Sequence, residues 1–420
     1  MEEGFSGAVK LSNLNDLLAS GQKCIKSDDN GDKRSISLTL SDCLACVGCL
    51  SSEEQIVISN SQNMDILKQN LSKSKDFQTN ICIVSPQTVS SFSKYLSIPL
   101  SESESLICKG LRNIGFEYIF DQNWGKIICH RMLCQEFDSV IENSGNQSQV
   151  KPLIVSACPG LVCYAESSKH VLIPHLSKNI SPPLALAIYI RKTFSNDEDK
   201  KKLYICSVTP CYDRKLEALR PENSIKDQKE PLVDCVIGSK NDNFNFHKNL
   251  DSFNSLSDVK LSNSIDYVTF LDTSDGYLEC IKDHLIKKFR QSDDEISFST
   301  KKLYNSNDFN EIQLNFSNGR SFKLAKVYGF RNIQILVQNI IRNKCRFDFI
   351  EAMACPKGCI NGGAQLKAPN DAENFNDNNK NIIEIDQSLY DELHHFALNY
   401  ISSYKLLPKQ YEKNLNNIEW

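Results

Sequence analysis

Short apolar runs alternate with amphipathic segments along most of this chain. Residues 81–85 read as a strand, and the runs at 116–120, 153–157, 203–209 and 233–237 repeat that signal. Apolar positions recur at helical spacing over 102–114, 182–193, 211–219 and 277–289. Strand followed by helix, repeated, predicts an α/β fold with parallel sheets, because a parallel pair needs a crossover that a helix usually fills. Ligands in such sheets gather at the carboxyl ends of strands. Cys158 follows the run LIVSA, Cys211 follows LYICSVTP, and Cys355 and Cys359 follow FDFIEAMA, so four thiols are expected at strand-to-helix junctions, where they could converge.

Three stretches, 27–34, 239–264 and 368–380, are rich in Asn, Asp, Ser and Lys and are read as loops or insertions that bury too little apolar surface to pack. The longest nearly apolar stretch, 333–341, falls far short of the roughly 18 residues a membrane span needs. At 420 residues the chain has room for two or three domains of about 150 residues each, and it needs no disulfides to fold. Lys+Arg 48 against Asp+Glu 52 leaves no cationic excess, so neither nucleic acid nor a membrane surface is an expected partner. The opening MEEGFSGAVK has no basic n-region and no apolar h-region, and neither end carries a lipidation signal. A cytoplasmic location, extending to the nucleus, is expected. Thiols stay reduced there, so the odd count of 17 cysteines divides into metal ligands and small buried hydrophobes rather than disulfides.

Cys43, Cys46 and Cys49 form C-x2-C-x2-C within SDCLACVGC. Each two-residue turn can deliver one sulfur to a different corner of a cubane, whereas zinc sites more often use separated pairs; iron-sulfur therefore leads zinc. No further Cys follows the run as it would in a bacterial ferredoxin, and Cys24 is the remaining cysteine before Cys82. Cys355 and Cys359 stand four apart in EAMACPKGCINGGAQ, and if Pro356 starts a helix both sulfurs share one face. Gly358, Gly362 and Gly363 would allow close backbone approach and offer N–H groups to sulfide. Read alone, this motif fits either a metal site or a loop with two buried thiols.

The motifs SACPGLVCYAE around Cys158 and VTPCYDRKLEA around Cys211, taken with the Cys355/Cys359 motif, resemble in order and spacing the active-site signatures of iron-only hydrogenases. FSGAVKLSNLNDLL, then Cys24, then LTLSDCLACVGCLSSEEQIV resemble a narrower branch, the iron-only-hydrogenase-like cytosolic iron-sulfur protein assembly factors related to the nuclear prelamin A recognition factor. The resemblance covers nearly the whole chain apart from the polar insertions. It implies two 4Fe-4S clusters, the first on Cys24, Cys43, Cys46 and Cys49, the second, buried, on Cys158, Cys211, Cys355 and Cys359. Cys359 matches the cysteine that bridges to a di-iron unit in hydrogenases, and Met353 and Lys215 are expected to line the second site. The implied fold is a two-lobed, hydrogenase-like pair of parallel sheets with a small N-terminal iron-sulfur domain: residues 1–75, then lobes at 76–384 with a polar insertion at about 239–264, then a C-terminal helix and tail at 385–420 with the helix near 385–401.

Hydrogenases carry a proton-relaying cysteine just before the first cubane ligand, and Ala157 stands there in this chain. The lysine expected three residues after the second ligand is Arg214, followed by Lys215; arginine keeps the charge but not the compact ammonium. The expected function is therefore non-catalytic: carrying clusters and maturing cytosolic and nuclear iron-sulfur proteins, as a link between an upstream scaffold and a targeting complex. A hydrogenase or other redox enzyme is the alternative. Ile418, Glu419 and Trp420 resemble the short aliphatic-acidic-aromatic tails recruited by that targeting complex and are its expected contact. Cys82, Cys108, Cys129, Cys134, Cys163, Cys206, Cys235, Cys280 and Cys345 are expected to be inert core thiols, and His170 and His175 surface or capping residues rather than a metal pair.

Overall fold

A computed structural model describes residues 62–72, 78–143, 152–194, 202–220, 223–224, 230–240, 266–269, 274–290, 296–366, 381–384 and 395–396. In chain order the elements begin with α1 (Met64–Leu71), β1 (Gln78–Val84), α2 (Pro86–Leu96), α3 (Leu100–Asn113), β2 (Tyr118–Asp121) and α4 (Asn123–Asn143). There follow β3 (Leu153–Val155), α5 (Pro159–Ser168), α6 (Pro182–Phe194), β4 (Lys202–Thr209), α7 (Arg214–Leu219), β5 (Cys235–Gly238) and β6 (Asp266–Thr269). The remainder are α8 (Tyr277–Phe289), β7 (Ser297–Lys302), β8 (Phe309–Asn315), β9 (Ser321–Tyr328), α9 (Phe330–Ile341), β10 (Phe349–Met353) and β11 (Asn381–Glu384).

The first sheet has the order β2-β1-β4-β5 and is parallel throughout. Every residue of β1 is buried, which is why its sequence runs apolar without alternation: helices cover both faces of the sheet. Ser85 ends the strand and caps α2, its Oγ accepting from Thr88 N at 3.2 Å, with Pro86 in the first turn. Across the strands Cys82 registers with Cys206 and Cys206 with Cys235, a row of thiols packed as small hydrophobes at 0 % exposure. Met64, Leu67 and Leu71 of α1 lie in the same core as β1 and β4, so residues 62–72 belong to this lobe.

The second sheet, β3-β10-β9-β8-β7, is parallel from β3 to β9 and antiparallel from β9 to β7. The α/β expectation holds, with this antiparallel extension added. Its hairpin turns at Asn318-Gly319, where Gly319 takes φ +82° and Phe316 N donates to Arg320 O at 2.9 Å. A buried carboxylate ties α8 onto this sheet: Glu351 of β10 accepts from Leu278 N at 2.7 Å and from Tyr328 Oη at 2.8 Å, placing negative charge at the amino end of the helix. β6 and β11 pair antiparallel as a separate ribbon. Of the helix expected at 385–401, His395 and Phe396 are described and are helical. Phe396 packs edge-on against Tyr189, ring centroids 5.3 Å apart.

The segment 362–366 joins the lobes. Ala364 N donates to Pro210 O at 3.0 Å, Lys240 N donates to Ala364 O at 3.0 Å, and Ser91 Oγ donates to Leu366 O at 2.8 Å. Ser239, expected to open the polar insertion, is 2 % exposed with its Oγ donating to Ala364 O, so packed structure continues to residue 240.

Candidate metal centre

β3 and β10 are parallel neighbours in one sheet and β4 belongs to the other, yet each delivers a cysteine just past its carboxyl end. Cys158 is the extended residue immediately before α5, 8 % exposed, with Pro159 opening the helix. Its N donates to Ser156 Oγ at 3.2 Å, and that hydroxyl donates to Ala352 O at 2.6 Å, pinning the loop to β10. Cys211 lies two residues beyond β4, and its Sγ accepts from Asp213 N at 3.4 Å. Cys355 lies in the turn after β10, and Cys359 opens a single 3₁₀ turn, Cys359–Asn361, with its Sγ accepting from Ser274 Oγ at 3.3 Å.

Electrostatic coupling links these four thiols to one another. Burial, then Asp213, Cys355 and Cys158, push the Cys211 thiol well above its ordinary value. Burial, then Asp275 and Cys158, push Cys359 up to about 12. Cys158 is raised by burial and Asp213, against backbone N–H groups of Ala354 and Leu161 that favour its thiolate. Each sulfur of the group is therefore within electrostatic reach of another.

Four local expectations are corrected. No helix starts at Pro356, because Lys357 and Gly358 take φ +59° and +82°, values that a right-handed helix cannot contain. Cys355 and Cys359 are presented by a turn instead. Gly358 N donates to Cys355 O at 3.1 Å and Gly362 N to Cys359 O at 3.0 Å, so these N–H groups stabilise the turn rather than standing open to sulfide. The helix expected from residue 211 begins at Arg214, leaving Cys211 on the turn before it. Lys215 does not line the group: its Nζ donates to Gln62 O, beside Cys206 and Cys235. Arg214 faces the thiols instead, since successive side chains on a helix diverge. Against the desolvation that burial imposes, Glu217 at 2.6 Å, Asp275 and Cys359 hold the Arg214 charge.

This donor set fits an iron-sulfur cluster. Four thiols from three loops, with a buried guanidinium beside them, suit a core whose thiolate-ligated form is anionic and whose irons each take a different sulfur. Cys158, Cys211, Cys355 and Cys359 would hold it, and loading would displace protons that burial keeps on the free thiols. Among the described residues no group of three or more His, Cys, Asp or Glu side chains is spaced to hold a single metal ion.

Sequence reasoning missed the polar shell behind Cys359. Lys126 Nζ lies 3.6 Å from Asp275 Oδ1, with side chains 1 % and 2 % exposed and neither atom hydrogen-bonded. His130 Nε2 donates to Asp275 O at 2.8 Å, and Gln87 Nε2 donates to Ser274 O at 3.0 Å, positioning the Ser274 hydroxyl. The available signal was Lys126 and His130 at four-residue spacing in a helix, facing inward. Met353 is 1 % exposed at the end of β10. Cys163 lies outside the group, its Sγ accepting from Arg220 Nη2 at 3.3 Å. Cys24, Cys43, Cys46, Cys49, Ile418, Glu419 and Trp420 lie outside the described residues.

The family model described as the iron only hydrogenase large subunit, C-terminal domain, matches residues 78–363. A cytosolic Fe-S cluster assembly factor, narfl, of Xenopus tropicalis is 30% identical over 422 residues, 88% of this chain and 86% of its own. Cytosolic iron-sulfur assembly component 3 of Bos taurus is 30% identical over 88% of this chain and 86% of its own, and Protein NAR1 of Arabidopsis thaliana is 29% identical over 87% and 85%. Among solved structures, a variant of the apo FeFe-hydrogenase HydA1 from Chlamydomonas reinhardtii superposes with a TM-score of 0.61 at 18% identity, covering 80% of this chain and 88% of its own, a likeness of fold.

Proposed function

The chain belongs to the iron only hydrogenase large-subunit family, in its branch of cytosolic iron-sulfur assembly factors, and on that premise we propose that it carries two 4Fe-4S clusters and passes iron-sulfur cargo to client proteins. What supports this reading is that Cys158, Cys211 and Cys355 stand just past the carboxyl ends of strands from two different sheets, Cys359 follows four residues on, and the thiols are electrostatically coupled. These residues hold the second cluster; Cys24, Cys43, Cys46 and Cys49 hold the first.

The centre is non-catalytic. Ala157, 5 % exposed beside Cys158, has no exchangeable proton to relay. Arg214 is neutralised by Glu217 rather than offering a free ammonium beside the thiols. The second cluster, set in a packed shell, is the retained one, and the N-terminal cluster is the one exchanged. The protein receives clusters from an upstream scaffold and works with the targeting complex in the cytosol, with nuclear proteins among its clients. Ile418, Glu419 and Trp420 contact that complex. Among the described residues no helix is long and apolar enough to cross a membrane.

A transfer assay tests the reading. Loaded protein is mixed with an apo client, and both clusters are followed by electron paramagnetic resonance. The expected result is loss of the N-terminal signal with gain in the client and no hydrogen turnover; hydrogen uptake despite Ala157 would favour the redox-enzyme alternative.

A further inference from the structure

Away from the four thiols, two helices carry a constellation of a different kind. α4 presents His130, Cys134 and Asp138 at four-residue intervals, and α8 presents Cys280, His284 and Lys288 likewise, so each set forms one stripe on a helix face. The stripes meet. Cys134 Sγ lies 3.6 Å from Cys280 Sγ, His284 Nε2 lies 2.9 Å from Asp138 Oδ1, and Lys288 Nζ lies 2.9 Å from the same oxygen. The Cys280 thiol also reaches His130 O at 3.9 Å.

We propose that Cys134 and Cys280 are a redox-active dithiol that closes to a disulfide by exchange with a small-molecule disulfide, with Cys134 attacking, His284 taking its proton and Asp138 orienting His284. In the first step the Cys134 sulfur bonds to one sulfur of the small disulfide, whose other half leaves as a thiolate. Cys280 then attacks Cys134 Sγ, expelling the second small thiolate. Two protein thiols are oxidised, one small disulfide is reduced to two thiols, and the two protons released by the protein end on those leaving groups.

Several features separate this pair from the other close cysteines. A disulfide sets its sulfurs about 2.05 Å apart, so a contact of 3.6 Å needs an approach of roughly 1.5 Å, within reach of side-chain rotation. Cys134 itself is 6 % exposed, but the side chains of His284 and Asp138 are 19 % and 25 % exposed and Cys280 is partly exposed, which gives a small disulfide its route in. Cys82, Cys206 and Cys235 also lie side by side, but at 0 % exposure. The hydrogen bond from Cys280, followed by that from His284, draws the Cys134 thiol down, while Cys280 is pushed up by the same partnership. The base His284 borders Cys134, which assigns Cys134 as the attacking thiol and Cys280 as the resolving one. The dithiol stands independently of the cluster reading. Its link to it is structural: one turn before Cys134, His130 holds the Asp275 carbonyl, next to the Ser274 that donates to Cys359.

The test uses full-length, cluster-loaded protein incubated anaerobically with oxidised glutathione, alkylated with iodoacetamide and digested without reduction for peptide mass spectrometry. The expected product joins the Cys134 and Cys280 peptides and forms about tenfold or more slowly in His284→Asn than in the wild type, by loss of the base. Cys280→Ser should instead accumulate a glutathione adduct on Cys134. Circular dichroism checks that each variant is folded, and the wild-type cross-link is read without any variant. Recovery of Cys134 and Cys280 as alkylated thiols, or closure at an unchanged rate in folded His284→Asn, would overturn the proposal. Because the readout is a peptide pair, it stands or falls separately from cluster content.

Discussion

Gly362 lies flat against the carbonyl of Pro210: a Cβ placed on the glycine would fall 2.0 Å from that oxygen. Pro210 precedes Cys211 and Gly362 follows Cys359 by three residues, so this contact, with the Ala364 N to Pro210 O bond at 3.0 Å, sets the spacing between ligand loops from the two lobes. Gly362 has φ −56° and ψ 148°, a conformation open to alanine, so the constraint is steric alone.

Gly362→Ala is expected to push the loops apart, at a cost of about 1–3 kcal/mol, with the fold retained. Iron held by the second site should fall by about half or more. Iron analysis beside a denaturant titration checks both numbers; full iron retention would show that the contact does not set the site.

The Lys126–Asp275 pair should be worth more to stability than a surface ion pair. Neither charged atom has a hydrogen-bond partner, and both side chains are essentially inaccessible. Asp275→Ala leaves a buried ammonium unpaired and should cost about 3–5 kcal/mol, while Lys126→Met with Asp275→Leu should recover much of the loss. Chemical denaturation of the four proteins of the cycle measures this, and an additive double mutant would contradict it.

Stability should also fall with acid through His130. Burial lowers its pKa from 6.5 to about 4, partly opposed by its bond to the Asp275 carbonyl. The unfolded chain then binds a proton that the folded one excludes, so the contribution is intact above about 6.5 and is lost as pH falls towards about 4. The whole effect is about 3 kcal/mol. Wild type minus His130→Gln, measured as denaturation free energy across this window, should shrink as pH drops; a pH-independent difference would place the titration elsewhere.

Much of this molecule was legible because its signals are local. β1, β4 and β10 declare themselves as apolar runs, and a cysteine stands just beyond two of them within the same short motif. What was not legible depends on backbone conformation or on distant partners. CPKGC reads as a helix start until Lys357 and Gly358 turn left-handed. Arg214 and Lys215 are adjacent in sequence, and only the register of α7 decides which one meets the thiols. The Asn318-Gly319 turn was a readable hairpin signal, but strand-helix alternation elsewhere favoured a parallel reading. Lys126 and His130 share α4, but Asp275 is far from them in the chain and joins them only after α4 and α8 pack.

The aromatic and acidic side chains of Glu419 and Trp420 are the proposed contact with the targeting complex. Trp420→Ala should weaken that association about tenfold or more, since a buried aromatic anchor dominates a small interface. Titration calorimetry with the purified complex decides this, and unchanged affinity would remove the contact.

The central claim is that two sets of four cysteines hold two separate clusters. Iron and sulfide quantitation with electron paramagnetic resonance, on anaerobically purified wild type and Cys→Ala variants, tests it most directly. About eight irons are expected in the wild type. Changing Cys158, Cys211, Cys355 or Cys359 should remove one group of about four, and changing Cys24, Cys43, Cys46 or Cys49 the other. Iron content untouched by loss of Cys158 or Cys211, or falling by the same amount and with the same signal for both sets, would contradict the account.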